Sequence, residues 1–304
     1  ETGPREDLET AEVNAPEGYI GFTLFPQEKR MKQTGTEYYR SIVADSAAQT
    51  NRVAGAAPTN TIIGSTNTTF SCTERIKRYS VPFETVYNLG GLAAADNIGA
   101  LAAKRSVLRS FEDAVVDVVM GGTPDASVSS NLIAAVKAAK YAIKRYTGRT
   151  AFVVSDTVFD ACMLQADVVA RLARFTSVTP ADNSQILALK KTLLAMILEV
   201  DEVLIGDDAH WYVTTAGGSN NVSTQDRAAV VKLPPAEALS QTMDPILGKT
   251  LIYFPKSGNP WHVASFPDYT NKRNSYDAQL FDDIVTFNAG AMYLLDDITA
   301  NSGS

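Results

Sequence analysis

DNIGALAAKRSVLRSFEDAVVDVVMGG, residues 96–122, carries helix signals from end to end. Asp96-Asn97 is a capping pair, Gly121-Gly122 is a stop, and the body between them predicts a helix over 98–120. Leu101, Leu108, Phe111, Val115 and Val118 recur at helical spacing as one buried stripe. Lys104, Arg105, Arg109, Glu112 and Asp113 mostly line the opposite side. At 1.5 Å per residue this rod spans about 35 Å, against a norm of about three turns in globular domains.

Upstream of it lies a region with the opposite character. Residues 28–80 are rich in Thr, Ser, Asn, Ala and Gly and poor in large apolar side chains, so they cannot close a core of their own. Within them TTFSCTERIKRY, residues 68–79, has strand character, with Phe70, Cys72 and Ile76 on one face and Arg75 and Lys77 on the other. The reading is a long two-stranded projection. A lone hairpin is marginal in water, so its cover is expected outside the subunit. GYIGFTLFP, Gly18 to Pro26, reads as a strand rich in aromatic and β-branched residues. Residues 1–18, polar and interrupted by Pro4 and Pro16, read as an extended arm with no signal peptide.

Downstream, Ser129 to Tyr146 is a second helix with Leu132, Ile133, Val136 and Ile143 apolar, closed by Gly148. TAFVVSDTVFDACMLQADVVARL, Thr150 to Leu172, is a short apolar strand, a Ser155-Asp156 capping pair and an apolar-periodic helix. Its strand-to-helix turn has no glycine, unlike the turns that cradle phosphates. A third helix starts from an Asp182 cap. The strands EVDEVLIGDD, HWYVTT, AAVVKL, TLIYFP and WHVASF follow. The end, DAQLFDDIVTFNAGAMYLLDDI, is strand, turn at Asn288-Ala289-Gly290, strand. The fold class is α+β, without internal repeats.

The 304 residues are 45% hydrophobic and 20% charged, enough for a sizeable core. No apolar run reaches the ~18 residues that a membrane span needs. The two cysteines, Cys72 and Cys162, stand in unlike contexts and read as unbridged, with Cys162 a small buried hydrophobe. Net charge is −7: residues 1–150 hold 17 basic and 16 acidic side chains, residues 151–304 hold 10 and 18. That distribution argues against a freely diffusing nucleic-acid binder. His210 and His262, each beside a Trp, read as half-buried strand residues. Neither zinc spacing nor a Gly-x-Ser-x-Gly elbow is present. LGKT, Leu247 to Thr250, lacks the glycine a phosphate loop needs, Met243 standing there, and it runs into a strand. The acidic pairs Asp201-Glu202, Asp207-Asp208, Asp282-Asp283 and Asp296-Asp297 place adjacent carboxylates on opposite strand faces and read as solvated strand ends. No catalytic, metal or cofactor site is expected.

These parts in this order resemble the major capsid proteins of tailed bacteriophages, with the HK97-type fold. The resemblance runs over nearly the whole chain: the polar arm, the hairpin returning through TERIKRYSVPFETVYNLGG, the spine helix DNIGALAAKRSVLRSFEDAVVDVVMGG, the α/β unit with LLAMILEVDEVLIGDD, and the closing FDDIVTFNAGAMYLLDDI. It implies an arm and first strand at 1–27 and an extended loop at 28–80 lying over a neighbour. It also implies a peripheral domain at 81–147 plus 266–304, and an axial domain at 148–265. The implied function is self-assembly into an icosahedral shell around double-stranded DNA, without enzymatic activity or cofactor. The partners would be its own copies in pentamers and hexamers, with scaffolding, portal and decoration proteins, and packaged DNA held only by weak non-specific contact; no membrane is involved. The place would be the virion capsid, assembled in the host bacterial cytoplasm. Tyr38, Tyr39 and Ile42 are then the expected anchors between subunits. Arg75, Lys77 and Arg78 are expected to pair with acids of neighbouring chains. Lys104, Arg105 and Arg109 are expected on the inner face. Lys29 and Lys32 stand at the loop base, where some relatives form an isopeptide bond, but no feature here supports one. An N-terminus without Met fits removal of a leading scaffolding segment or an appended remnant equally. Two alternatives stand: an encapsulin, whose N-terminal helix ETGPREDLETAEVNAPEGY fits poorly, and an α/β enzyme or binding protein, which leaves the coreless hairpin unexplained.

Overall fold

The computed structural model describes residues 3–4, 19–40, 65–88, 91–128, 131–172, 183–207, 212–214, 221–223, 226–234, 246–254 and 260–298. The chain runs β1 (Gly3–Pro4), α1 (Gly21–Leu24), β2 (Gln27–Arg30), β3 (Thr34–Arg40), β4 (Ser65–Ser71), β5 (Thr73–Pro82), α2 (Phe83–Asn88) and α3 (Leu92–Met120). It continues with β6 (Ala126–Ser127), α4 (Leu132–Ala142), β7 (Arg149–Ser155), α5 (Asp156–Leu164), α6 (Ala166–Leu172), α7 (Asn183–Leu198) and β8 (Glu202–Gly206). The last strands are β9 (Tyr212–Thr214), β10 (Asn221–Ser223), β11 (Ala228–Leu233), β12 (Gly248–Tyr253), β13 (Trp261–Asp268), β14 (Arg273–Thr286) and β15 (Met292–Asp296).

Two sheets carry the fold. One runs β6-β15-β11-β7-β8; the other runs β1-β13-β14-β12-β2, with β5 also pairing to β14. The helix α3 is long because it serves both. Its first half places Ala95, Ala100, Ala103 and Val107 against Val81, Ile252, Val263, Tyr276, Ala278 and Leu280 of the six-stranded sheet. Its second half places Phe111, Val115, Val116, Val119 and Met120 against Ala151, Val153, Ala229 and Val231 of the five-stranded sheet. The other face of that sheet, with Phe152, Val154 and Val230, is covered by α4, α5 and α7. Burial on both faces accounts for the uninterrupted apolar run Ala151 to Val154, which no one-sided strand needs.

Several sequence expectations change here. Asp96 does not cap α3, which begins at Leu92 after Gly91 at φ 123°. Asp96 lies inside the helix, buried, and accepts a 2.7 Å hydrogen bond from the Tyr276 hydroxyl. That ring packs against Gly99, where an added Cβ would stand 2.2 Å from it. The stripe of α3 is wider than its spacing implied: Lys104 is 0% and Glu112 1% exposed. The helix expected from Ser129 to Tyr146 spans 132–142, capped by the Asn131 side chain, which accepts from the Ala134 N–H. The helix after Ser155 is two helices broken at Gln165, whose extended backbone (ψ 134°) starts a new turn. Its amide, buried, donates to the Ile298 carbonyl at 2.7 Å.

Within GYIGFTLFP, the described residues Tyr19 to Pro26 form no strand. Residues 21–24 form one helical turn because the buried Glu112 carboxylate accepts the N–H groups of Ile20 and Gly21, both at 2.9 Å. An anion at the unsatisfied end of a turn is favourable, and here the two backbone donors also make the burial of Glu112 tolerable. Phe22 stacks on Phe111 with ring centroids 4.2 Å apart. Glu112→Gln replaces one acceptor oxygen by a donor facing an N–H. A loss of about 1–3 kcal/mol in urea unfolding is expected; unchanged stability would mean that the carboxylate does not hold this turn.

The boundaries drawn at 80, 148 and 266 do not follow the hydrogen bonding. Strand β5 pairs along its whole length with β14, Thr73↔Asp282 through Pro82↔Arg273. The projection is therefore β3 with β4, Thr34↔Ser71 to Arg40↔Ser65. Strands β12 and β13 belong to the six-stranded sheet, while β15 joins the five-stranded one.

Candidate assembly surfaces

The hairpin β3–β4 is seated on the sheet face opposite α3. Phe70 and Cys72 are buried with Ile246, Leu251, Val285 and Phe287, and Tyr39 closes this cluster. Tyr39 stacks on Phe287 at 5.0 Å. Beside it lies a four-membered ionic cluster. Arg30 meets Glu28 at 2.8 Å and Glu37 at 2.6 Å. Lys249 meets Glu37 at 3.0 Å and also pairs with Glu28. The Ser71 N–H donates to Asp283 at 2.8 Å. Only Glu37 of these charges is on the hairpin, so the cluster ties the projection to the body. The base of the hairpin thus has a core within its own chain, contrary to the sequence expectation.

The expected site residues separate. Tyr38 is 67% exposed beside the internal Tyr39, and Ile42 lies outside the described residues. Arg75 and Arg78 already have acidic partners in this chain. Arg75 bonds to Asp282 at 2.6 Å and to the Ser110 carbonyl of α3 at 3.0 Å. Arg78 grips both oxygens of Asp277 at 2.6 and 2.7 Å and sits 4.6 Å from the Phe266 ring centre. Lys77 is exposed between them. The inner-face trio also divides: Lys104 is fully buried with its ammonium 5.8 Å from the Trp261 ring centre. Arg109 is exposed and hydrogen-bonded to Tyr19, and Arg105 is exposed.

The acidic pairs are not simply solvated strand ends. Asp201 accepts the Thr150 N–H at 2.6 Å, and Asp282 is buried. Its carboxyl is held above the ordinary range by burial, which the Arg75 charge opposes and Asp283 reinforces. Burial likewise pushes the Cys72 thiol up to about 11, with the charges of Asp283 and Asp282 adding to it, and raises Cys162. Neither thiol has thiolate character at neutral pH. His262 is half-buried on β13; His210 lies outside the described residues. Lys249 of LGKT belongs to the ionic cluster, and Thr250 donates to the Phe25 carbonyl at 2.9 Å.

A cleft of about 600 Å³ opens beside α2 and the start of α3, lined by Tyr87, Leu92, Tyr269 and Phe266, with Asp96 and Tyr276 bonded to each other. Among the described residues its walls carry no histidine, cysteine or lysine. Among the described residues no three His, Cys, Asp or Glu side chains gather to hold a metal. No helix of the described residues is long and apolar enough to cross a membrane.

Sequence reading missed one surface. Between Asp125 and Asp156 there is no acidic residue, while Lys137, Lys140, Lys144, Arg145 and Arg149 fall there. Charge counted over half the chain hides this run; a window of 30 residues reveals it.

A long helix bridging a five- and a six-stranded sheet, with a seated hairpin, is the HK97-type fold of phage capsid subunits. No protein-family model matches the sequence, and no curated protein matches it. Among solved structures, a phage-related protein from Bordetella bronchiseptica RB50 aligns at TM-score 0.68 and 16% identity, over 98% of this chain and 99% of that one. The capsid of cyanophage P-SCSP1u aligns at 0.54 and 10% identity, over 94% and 89%. The SrpI encapsulin complex from Synechococcus elongatus PCC 7942 aligns at 0.51 and 9% identity, over 97% of this chain and 95% of that one.

Proposed function

We propose that this protein is the major capsid protein of a phage, a structural and non-enzymatic subunit that self-assembles into an icosahedral shell around double-stranded DNA. The observation that carries the reading is likeness over 94% of the chain to a cyanophage capsid structure, with a phage-related protein matching over 98% of it. The hairpin fits it physically: its base is anchored in the subunit while Tyr38 faces out. Pentamers and hexamers of the chain are its principal partners, in a virion built in the bacterial cytoplasm. Scaffolding, portal and decoration proteins are further partners of the same reading, and the packaged duplex is touched weakly. In this layout the five-stranded sheet with α4 to α7 is the axial unit, and the six-stranded sheet with α3 is the peripheral one.

Light scattering and electron microscopy of the purified protein test this. Capsomers or closed megadalton shells are expected; a stable monomer or small oligomer under all assembly conditions would sink the reading. The encapsulin likeness keeps a second reading, a nanocompartment shell. Nuclease-protected DNA inside particles from infected or induced cells favours the phage shell, and a protein cargo without DNA favours the compartment.

A further inference from the structure

Helix α4 carries an outward surface that the fold itself does not use. Its inner side, Leu132, Val136, Ala139 and Ile143, is buried in the core beneath the five-stranded sheet. Lys137 and Tyr141, four residues apart, share the opposite side of the helix, and Lys144 and Arg145 follow in the turn that leaves its C-terminus. Tyr141 is 80% exposed, and the three cations are exposed as well. Ala134, Ala138 and Ala142, also exposed, leave low ground between them.

Of the five cations in this run, Lys140 and Arg149 have acidic partners, Glu199 and Glu202. Among the described residues Lys137, Lys144 and Arg145 have none. The helix dipole favours cations at a C-terminus, which suits Lys140, Lys144 and Arg145. It does not account for Lys137 in the middle of the helix, nor for a tyrosine left in water. Cations without an acidic partner, Arg145 lying 5.4 Å from the Tyr146 ring centre, set around an exposed aromatic are suited to a phosphate backbone: the charges displace counterions, and a tyrosine hydroxyl donates to phosphate oxygen. From Lys137 to the last helical residue, Ala142, the face rises about 7.5 Å, and a duplex presents about four phosphate charges over that length.

We propose that the outward face of α4 and the turn that follows it bind the phosphate backbone of duplex nucleic acid without regard to sequence, through Lys137, Lys144 and Arg145, with Tyr141 as a hydrogen-bond donor. The inference rests on the shell reading only for the source of the duplex, which is then the packaged genome. It replaces Lys104 and Arg109 as the expected contacts, since one is buried and the other bonded to Tyr19.

The test is fluorescence anisotropy of two labelled duplexes of unrelated sequence with the full-length protein, its assembly state followed by light scattering. Equal affinity for both is expected, falling about 300-fold between about 25 and about 200 mM salt, the slope of roughly −2.7 that three phosphate contacts give. The triple variant Lys137→Gln, Lys144→Gln, Arg145→Gln, shown folded by circular dichroism, should lose at least about tenfold at the lowest salt and most of that slope. Equal binding by variant and parent overturns the proposal, as does absence of salt-dependent binding by the parent. If no duplex binds and the variant alone loses its assembled size, the face is a contact between copies and the proposal fails. Failure of the parent to assemble, with duplex binding intact, counts against the shell reading and leaves this one standing.

Discussion

Replacing residues 41–64 by an Asn-Gly turn will leave a folded subunit that no longer builds shells. Arg40 and Ser65 face each other as the last pair of the hairpin, so a two-residue turn closes it in register, and Asn-Gly has the backbone freedom that such a turn requires. Everything that seats the hairpin survives: the Tyr39–Phe287 stack, buried Phe70 and Cys72, and the Arg30, Glu37, Lys249 cluster. Shortening a loop lowers closure entropy only slowly with length, so the unfolding midpoint should hold or rise a little. Shell formation should fall below detection, because the removed segment is the part of the projection that the shell reading places on a neighbour. Size-exclusion profiles and micrographs under assembly conditions decide this. Loss of soluble, folded protein would put 41–64 in the subunit core. Normal shells would remove the hairpin from the list of inter-subunit devices.

The elements that sequence placed well are those whose signals are local. The Gly121 end of α3, the α4 buried face and the strands through 228–296 follow from periodicity and stop residues. What stayed hidden depends on partners distant in sequence. Lys104 and Glu112 have the polarity of an exposed helix side, yet a Trp261 ring and two backbone N–H groups of α1 bury them. Gly18 to Pro26 has strand composition, and a carboxylate about 90 residues away turns part of it into helix. Cys72 sits at a break between β4 and β5. Phe70 and Cys72 therefore enter the core while Ile76, assigned the same face, is 45% exposed. For the candidate surfaces, residue type identified Tyr38 and Tyr39 together, but only the Phe287 ring separates an outward tyrosine from an inward one. The arginines of β5 looked alike with Lys77 because alternation gives faces and not partners.

That last distinction has a measurable consequence: Arg75→Glu should cripple the subunit itself, whereas Lys77→Glu should not. Asp282 is buried, and Arg75 reaches it at 2.6 Å while its other arm holds the Ser110 carbonyl of α3. Reversing the arginine leaves a buried carboxylate facing a second one, a change that typically costs about 3–5 kcal/mol. Most domains have only about 5–15 kcal/mol to lose. Lys77 is exposed, and its reversal should move stability by no more than about 0.5 kcal/mol. The pH dependence separates this cause from simple misfit. Burial already raises the Asp282 carboxyl above its ordinary value, so its ionisation opposes folding. Its favourable share is complete at low pH and is lost as pH rises through the raised folded value. Removing the Arg75 charge takes away what opposes that shift and widens the window. Urea unfolding should therefore show a small deficit for Arg75→Glu near pH ~4, close to the unfolded carboxyl value, and a large one near pH ~7. A deficit of equal size at both pH values would assign the loss to packing, and an equal cost for Lys77→Glu would place the two residues in the same environment after all.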